Sequence, residues 1–295
     1  MAIESWVDGI LHDRVEMWPM ETHVESRLQR LPGIKAVLFD IYGTLVISGS
    51  GDVGSADAAG HDSFIRQTFD ELGLLGRLVS VPNADSLRRK IQQLNLERCD
   101  SSCPNPEVDI VEVWRRVLAE HGWVTSPVEI ELVVKIATRY EALANPTWPM
   151  PDAAEVLQQL RQASLFLGIV SNAQIFTPRL VSNLLGQDRL EEGGFDLGLC
   201  VFSNRYRQAK PGPRLFDVLL QGLSSRGILP NEAVYVGNDM LNDIWAATEA
   251  GLRTAWFAGD RRSCRPRQDD SRCQKVYPDL VLTDLMQLPE CLLIS

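Results

Sequence analysis

Residues 34–45 read Ile34-Lys35-Ala36-Val37-Leu38-Phe39-Asp40-Ile41-Tyr42-Gly43-Thr44-Leu45, an apolar run that ends in an acid and breaks into a glycine turn. A short run of this kind suits a strand buried on both faces of a parallel sheet, and it delivers its last residue, Asp40, to the sheet's carboxyl edge. The same design returns downstream. Residues 165–171 (L-F-L-G-I-V-S), 198–203 (G-L-C-V-F-S) and 233–239 (A-V-Y-V-G-N-D) each close an apolar run with polar or glycine-containing residues, and 253–257 and 279–282 read as weaker strands. Helical spacing of apolar residues fills the intervals at 152–163 (Ala154, Val156, Leu157, Leu160) and 213–222 (Leu215, Phe216, Leu219, Leu220).

Strand and helix alternating in this way define an α/β class, a Rossmann-like, doubly wound parallel sheet. In such sheets ligands bind beyond the carboxyl ends of the strands, so polar residues far apart in sequence converge on one crevice. The core is expected over 34–47 and 150–295. Residues 48–149 differ in character: a Gly-rich opening, G-S-G-D-V-G-S, precedes helical patterns near 60–75, 84–98, 107–121 and 127–143 with no good strand between them. They read as an inserted helical cap. The opening lacks the Gly-Lys-Ser/Thr ending of a phosphate loop and reads as a hinge, while the three prolines of N-P-T-W-P-M-P (145–151) make a stiff return to the core. Residues 1–33 are expected to form a helical extension.

The chain has 295 residues, 45% of them hydrophobic, enough for one substantial core and a smaller second unit. Its net charge of −10 provides no basic surface for tracking a phosphate backbone, which argues against nucleic acid as a partner and for a site that is positive only locally. No apolar run approaches the roughly 18 residues of a membrane helix, and the six scattered cysteines lack zinc-like spacing, so a cytoplasmic protein with reduced thiols is expected.

Four pieces close the expected elements in order: Asp40-Ile41-Tyr42-Gly43-Thr44-Leu45, Ser171-Asn172-Ala173, Lys210-Pro211 before a helix, and Gly237-Asn238-Asp239 followed by Asn242-Asp243. Singly, each has an ordinary structural reading, as turn, cap or surface charge. Together they resemble the signature set of the haloacid-dehalogenase-like superfamily of aspartate-nucleophile hydrolases, over residues of about 34 to 290. That resemblance implies Asp40 as the nucleophile, Thr44 and Ser171 as hydroxyl donors to the group under attack, and Lys210 as the neutralising cation. It also implies Mg²⁺ held by Asp40, the carbonyl of Tyr42, Asp239 and Asp243, with Tyr42, Gly43 and Asn172 at the substrate.

Most phosphatases of the superfamily carry a second aspartate two residues after the nucleophile; here that position is Tyr42. General acid–base help is worth about 10²–10⁴ in rate, so the substitution favours leaving groups that need no proton. The Asp-x-Tyr-Gly-Thr form resembles the metal-independent 2-haloacid dehalogenases, whereas the acidic pair Asp239 and Asp243 argues for a cation and for Mg²⁺-dependent hydrolysis of a small phosphorylated metabolite. A non-catalytic binding protein on the same scaffold is the third reading. Asn238 stands where many relatives have the first metal-binding aspartate. Within the cap, His61, Arg66, Arg88, Arg89 and Trp148 are weak substrate-contact candidates, and the basic segment Arg261, Arg262, Arg265 and Arg267 reads as a surface loop neutralised by Asp269 and Asp270.

Overall fold

A computed structural model describes residues 14–50, 58–123 and 130–293. Among the described residues are eight strands: β1 (Ala36–Phe39), β2 (Val46–Ser48), β3 (Thr147–Pro149), β4 (Phe166–Ser171), β5 (Phe195–Phe202), β6 (Ala233–Gly237), β7 (Arg253–Phe257) and β8 (Leu280–Leu282). Six of them form one sheet in the order β5-β4-β1-β6-β7-β8, every pairing parallel. The β1 strand lies at its centre, and its side chains alternate between two buried layers as a period of two requires. Val37 and Phe39 pack with Val156, Leu157 and Leu160, whereas Ala36 and Leu38 pack with Leu215, Phe216 and Leu219. Burial of each large apolar side chain contributes about 1.5–3 kcal/mol, so both layers pin the register of β1 and thereby the position of Asp40.

Four helices, α1 (Ala58–Glu71), α2 (Ala84–Arg98), α3 (Ile110–Glu120) and α4 (Ile130–Ala144), surround a separate apolar cluster. Its centre is the fully buried Trp114, edge-on to Tyr140 at 5.3 Å and tilted against Phe69 at 6.2 Å. The remaining helices used below are α5 (Ala153–Gln162), α6 (Thr177–Leu184) and α7 (Arg214–Ser224). The expected hinge over 51–55 and the start of the last cap helix over 127–129 lie outside the described residues. The proline-rich return does more than stiffen the chain: β3 pairs antiparallel with β2, so outgoing and returning segments form one ribbon.

The helical extension expected over 1–33 is corrected for residues 14–33, which contain no helix; residues 1–13 lie outside the described residues. Arg27 instead exchanges two backbone hydrogen bonds with Val281 in the edge strand β8, at 2.9 and 3.0 Å. An uncovered edge presents unpaired backbone groups, and satisfying them outweighs the weak helical pattern of a segment broken by Pro19 and Pro32. Among the described residues no helix is long and apolar enough to cross a membrane.

Candidate active site

The carboxyl ends of β1, β4 and β6 bring Asp40, Ser171 and the segment after Gly237 to one edge of the sheet. They open on a crevice of about 80 Å³, lined also by Tyr42, Asn172, Lys210, Asp239 and Asp243. Asp40 is anchored through its backbone N–H, which donates to the Val236 carbonyl at 2.9 Å. Its carboxylate accepts from Lys210 Nζ at 2.8 Å.

Lys210 is buried among four acceptors: Asp40 Oδ1, Asp243 Oδ1 at 2.5 Å, Tyr235 Oη at 2.8 Å and the Val170 carbonyl at 3.1 Å. Burial alone pulls an ammonium pKa down, but the Asp243 and Asp40 carboxylates more than offset it and raise Lys210 above its ordinary value. The lysine is therefore a fixed positive charge. Asn172 sets its backbone, accepting from Lys210 N–H at 2.7 Å and donating to the Lys210 carbonyl at 3.4 Å. The amide expected at the substrate lines the crevice and also positions the lysine.

Several other expected positions differ in detail. Thr44 is fully buried and does not line the crevice; its hydroxyl donates to Asn238 Oδ1 at 3.1 Å, because a buried hydroxyl needs an acceptor and the asparagine supplies one. Ser171 does face the crevice, with its Oγ only 3.4 Å from the neighbouring Asn172 carbonyl. The Tyr42 hydroxyl is tied to Thr177 Oγ1 at 3.0 Å, and burial, followed by the charge of Glu141, raises its pKa. It stays protonated and cannot replace the missing carboxylate as a base.

Gly43 does not line the crevice; its role is steric. At φ +84° a Cβ would stand 2.4 Å from Ser263 Cβ and 2.8 Å from Asn238 Nδ2. Gly43→Ala combines a left-handed backbone with this clash, and we expect a loss of about 1–3 kcal/mol in denaturant unfolding. An unchanged midpoint with an unchanged slope would contradict it.

Of the donor set implied for Mg²⁺, the Asp239 and Asp243 side chains do not fit a cation as arranged. A carboxylate has about four lone-pair sites. Asp239 Oδ1 accepts from Leu241 N–H (2.8 Å), Asn242 N–H (3.1 Å) and Arg267 Nε (3.1 Å), while Oδ2 accepts from Arg267 Nη2 (2.6 Å) and Asn242 Nδ2 (3.1 Å). The oxygens of Asp243 face Lys210 and the Asp239 N–H, the latter at 2.9 Å. Among the described residues no group of three His, Cys, Asp or Glu side chains could hold a metal ion. Asn238 does not supply the missing ligand either, since its Nδ2 donates to the Ser263 carbonyl at 2.6 Å and its Oδ1 accepts from Thr44.

The basic segment is the clearest addition to the expected site. It is not neutralised within itself: Asp270 pairs with Arg272, Arg262 with Asp260, and Arg267 with Asp239, while Arg265 lines the crevice. Backbone hydrogen bonds from Arg265 N–H to the Asn238 carbonyl (3.0 Å) and from Met240 N–H to the Arg265 carbonyl (2.9 Å) stitch the loop to the end of β6. Residues 18–22 brace its other side through Met20 N–H to Asp260 Oδ1 (3.1 Å), Arg261 N–H to the Met20 carbonyl (2.8 Å) and Arg262 to the Trp18 carbonyl (2.8 Å). The clustering of arginines was visible in sequence, but the backbone pairing that directs them inward was not. Two of the cap candidates make ordinary helix contacts, Arg88 with Asp85 and His61 with Tyr140, and Trp148 lies in β3.

The helical unit is clasped to the wall that carries Lys210. Ala209 N–H donates to the Asn105 carbonyl (2.8 Å), Glu107 N–H to the Arg207 carbonyl (3.1 Å), and Ser203 Oγ to Glu107 Oε2 (2.7 Å). Burial pushes the Glu107 carboxyl up to about 7, against hydrogen bonds from Ser203 and the Val108 N–H and the charge of Arg207. A carboxyl raised on folding contributes stability that is complete below its unfolded pKa and is lost as pH rises through about 7. Glu107→Gln should therefore flatten the fall in unfolding free energy between roughly pH 5 and 8, by at most about 3 kcal/mol. An equal slope in both proteins would refute this.

A profile of haloacid dehalogenase-like hydrolases matches residues 34–251, and the chain belongs to that family. It is similar to glyceraldehyde 3-phosphate phosphatase of Pyrococcus furiosus, 32% identical over 143 residues that make up 48% of this chain and 54% of that one. It is also similar to phosphoserine phosphatase of Thermus thermophilus, 28% identical over 139 residues, 47% of this chain and 49% of the other. The match thus spans about half the length of these curated relatives. A solved 2-haloacid dehalogenase from Pseudomonas syringae pv. Tomato superposes with a TM-score of 0.59 at 23% identity, covering 88% of this chain and 97% of that one, which establishes shared fold.

Proposed function

We propose that the chain hydrolyses a small phosphorylated metabolite, with Asp40 as nucleophile and the helical unit over 48–149 as the cap that excludes bulk water. The observation that carries this reading is the Lys210 ammonium 2.8 Å from the Asp40 carboxylate in the crevice at the carboxyl edge of the sheet. An Asp40 oxygen attacks phosphorus, the bond to the leaving oxygen breaks with its electron pair, and water then cleaves the aspartyl-phosphate to regenerate Asp40 and release orthophosphate. Lys210 offsets the negative charge gathered there and Ser171 supplies a hydroxyl at the rim.

Because Tyr42 is tied to Thr177 and keeps its proton, the leaving group departs without a carboxylic acid beside it. Acyl, aryl and anhydride phosphates meet that condition. The phosphatase names of the curated relatives support phosphate over halide. No step runs through Mg²⁺, two of whose expected ligands, Asp239 and Asp243, are engaged with Arg267 and Lys210.

Dehalogenation of a small haloacid is the second reading, favoured by two observations: Asp239 is bound by an arginine, and Tyr42 stands where a phosphatase of the superfamily would carry a carboxylate, whereas a departing halide needs no general acid. A panel of small phosphates and haloacids, assayed with magnesium and with chelator, separates the two. Orthophosphate release that fails in Asp40→Asn supports the first, halide release alone overturns it, and ligand-induced stabilisation without turnover points to a binding protein.

A further inference from the structure

We propose that Arg267 is the built-in cation of this site, occupying on Asp239 the place that the family resemblance assigns to a divalent ion. The inference deepens the hydrolase reading above and rests on it only for its catalytic consequence. Its first support is geometric. The guanidinium meets both oxygens of Asp239, with Nε at 3.1 Å from each and Nη2 at 2.6 Å from Oδ2, the planar two-oxygen contact that a carboxylate accepts best. Asp239 lies buried in the crevice wall, so the contact is shielded from solvent on the carboxylate side.

The second support is how the loop is held. Arg267 has φ +47°, a left-handed backbone that costs a non-glycine residue about 1–2 kcal/mol and that turns the side chain back toward Asp239. The strain is maintained by the pairing of Arg265 with Asp239, by the bracing of Asp260 by Met20, and by Ser263, which packs so closely on the nucleophile turn that only Gly43 fits beneath it. A loop anchored on three sides is not an incidental surface contact.

The third is charge. Asp40, Asp239 and Asp243 bring three carboxylates to the crevice, Lys210 and Arg265 bring two cations, and Arg267 adds a third from behind Asp239. The site is balanced by protein groups alone, and a dianionic substrate is met by fixed guanidinium and ammonium groups. Asp40 and Asp243, which would otherwise repel each other, share Lys210, and Asp239 is met by Arg267.

Manganese(II), whose paramagnetic resonance signal reports free ion directly, is the probe. Wild-type protein should leave the added ion free at millimolar concentration. Arg267→Ala uncovers Asp239 and should bind it at least about tenfold more tightly, whereas Arg267→Lys, which keeps a cation, should resemble wild type. Asp239→Asn in the Arg267→Ala background should abolish the gain. Equal affinity in wild type and Arg267→Ala, whether tight or absent in both, overturns the proposal. In a parallel assay with chelator, wild-type orthophosphate release should persist, and Arg267→Ala should lose at least about tenfold and recover on adding magnesium. Manganese binding as expected with no turnover of any phosphate would refute the hydrolase reading and leave the assignment of Arg267 standing.

Discussion

Asp40→Asn is expected to reduce turnover by at least about 10⁴-fold while leaving the fold intact. An amide is nearly isosteric with the carboxylate but cannot attack phosphorus or carbon to give a productive covalent intermediate, so the loss falls on the chemical step. Stability should change little. Lys210 keeps Asp243, Tyr235 and the Val170 carbonyl as partners, and β1 keeps both apolar layers. Steady-state kinetics beside a thermal melt checks the pair of expectations. Retention of turnover within a few-fold of wild type, at an unchanged melting temperature, removes Asp40 from the nucleophile role.

Lys210→Met should be costly in both respects. It takes the ammonium from between two buried carboxylates, Asp40 at 2.8 Å and Asp243 at 2.5 Å, and leaves them facing each other without compensation. Breaking a buried ion pair by removing one partner typically costs about 3–5 kcal/mol. The loss should depend on pH with a definite sign. Burial already pushes the Asp243 carboxyl up, with Lys210 opposing, so removal of the lysine pushes it further. A carboxyl raised on folding is harmless below its unfolded pKa and penalises the folded state as pH rises, so the variant should come closest to wild type in acid and diverge from it at neutral pH and above. Denaturant unfolding at roughly pH 5 and pH 8 measures this. A deficit that shrinks toward alkaline pH would show that the two carboxylates are not coupled through the lysine.

Much of the architecture was legible because it depends on local pattern. The strand periods around Ala36–Phe39, Phe166–Ser171 and Ala233–Gly237 match the sheet, and the helical spacing over 84–98 and 152–163 matches α2 and, to within one residue at each end, α5. The misreading of residues 14–33 has the opposite cause: their conformation is set by the exposed edge of β8, almost the whole chain away. Thr44 and Asn172 show the same limit within the site. Their residue types suggested contact with substrate; burial turned Thr44 to Asn238, and Asn172, which lines the crevice, also binds the Lys210 backbone.

By itself, then, the sequence determined the parallel sheet, the helical insertion, and the placement of Asp40, Ser171 and Asp239 at strand ends, because alternation, apolar runs and chain turns are properties of neighbouring residues. Only the tertiary structure decided which charges meet. Whether Asp239 faces a metal or Arg267 depends on a loop 28 residues onward, bent by a left-handed arginine and braced by residues 18–22. Electrostatic partners are chosen by distance through space, and no local pattern carries that distance.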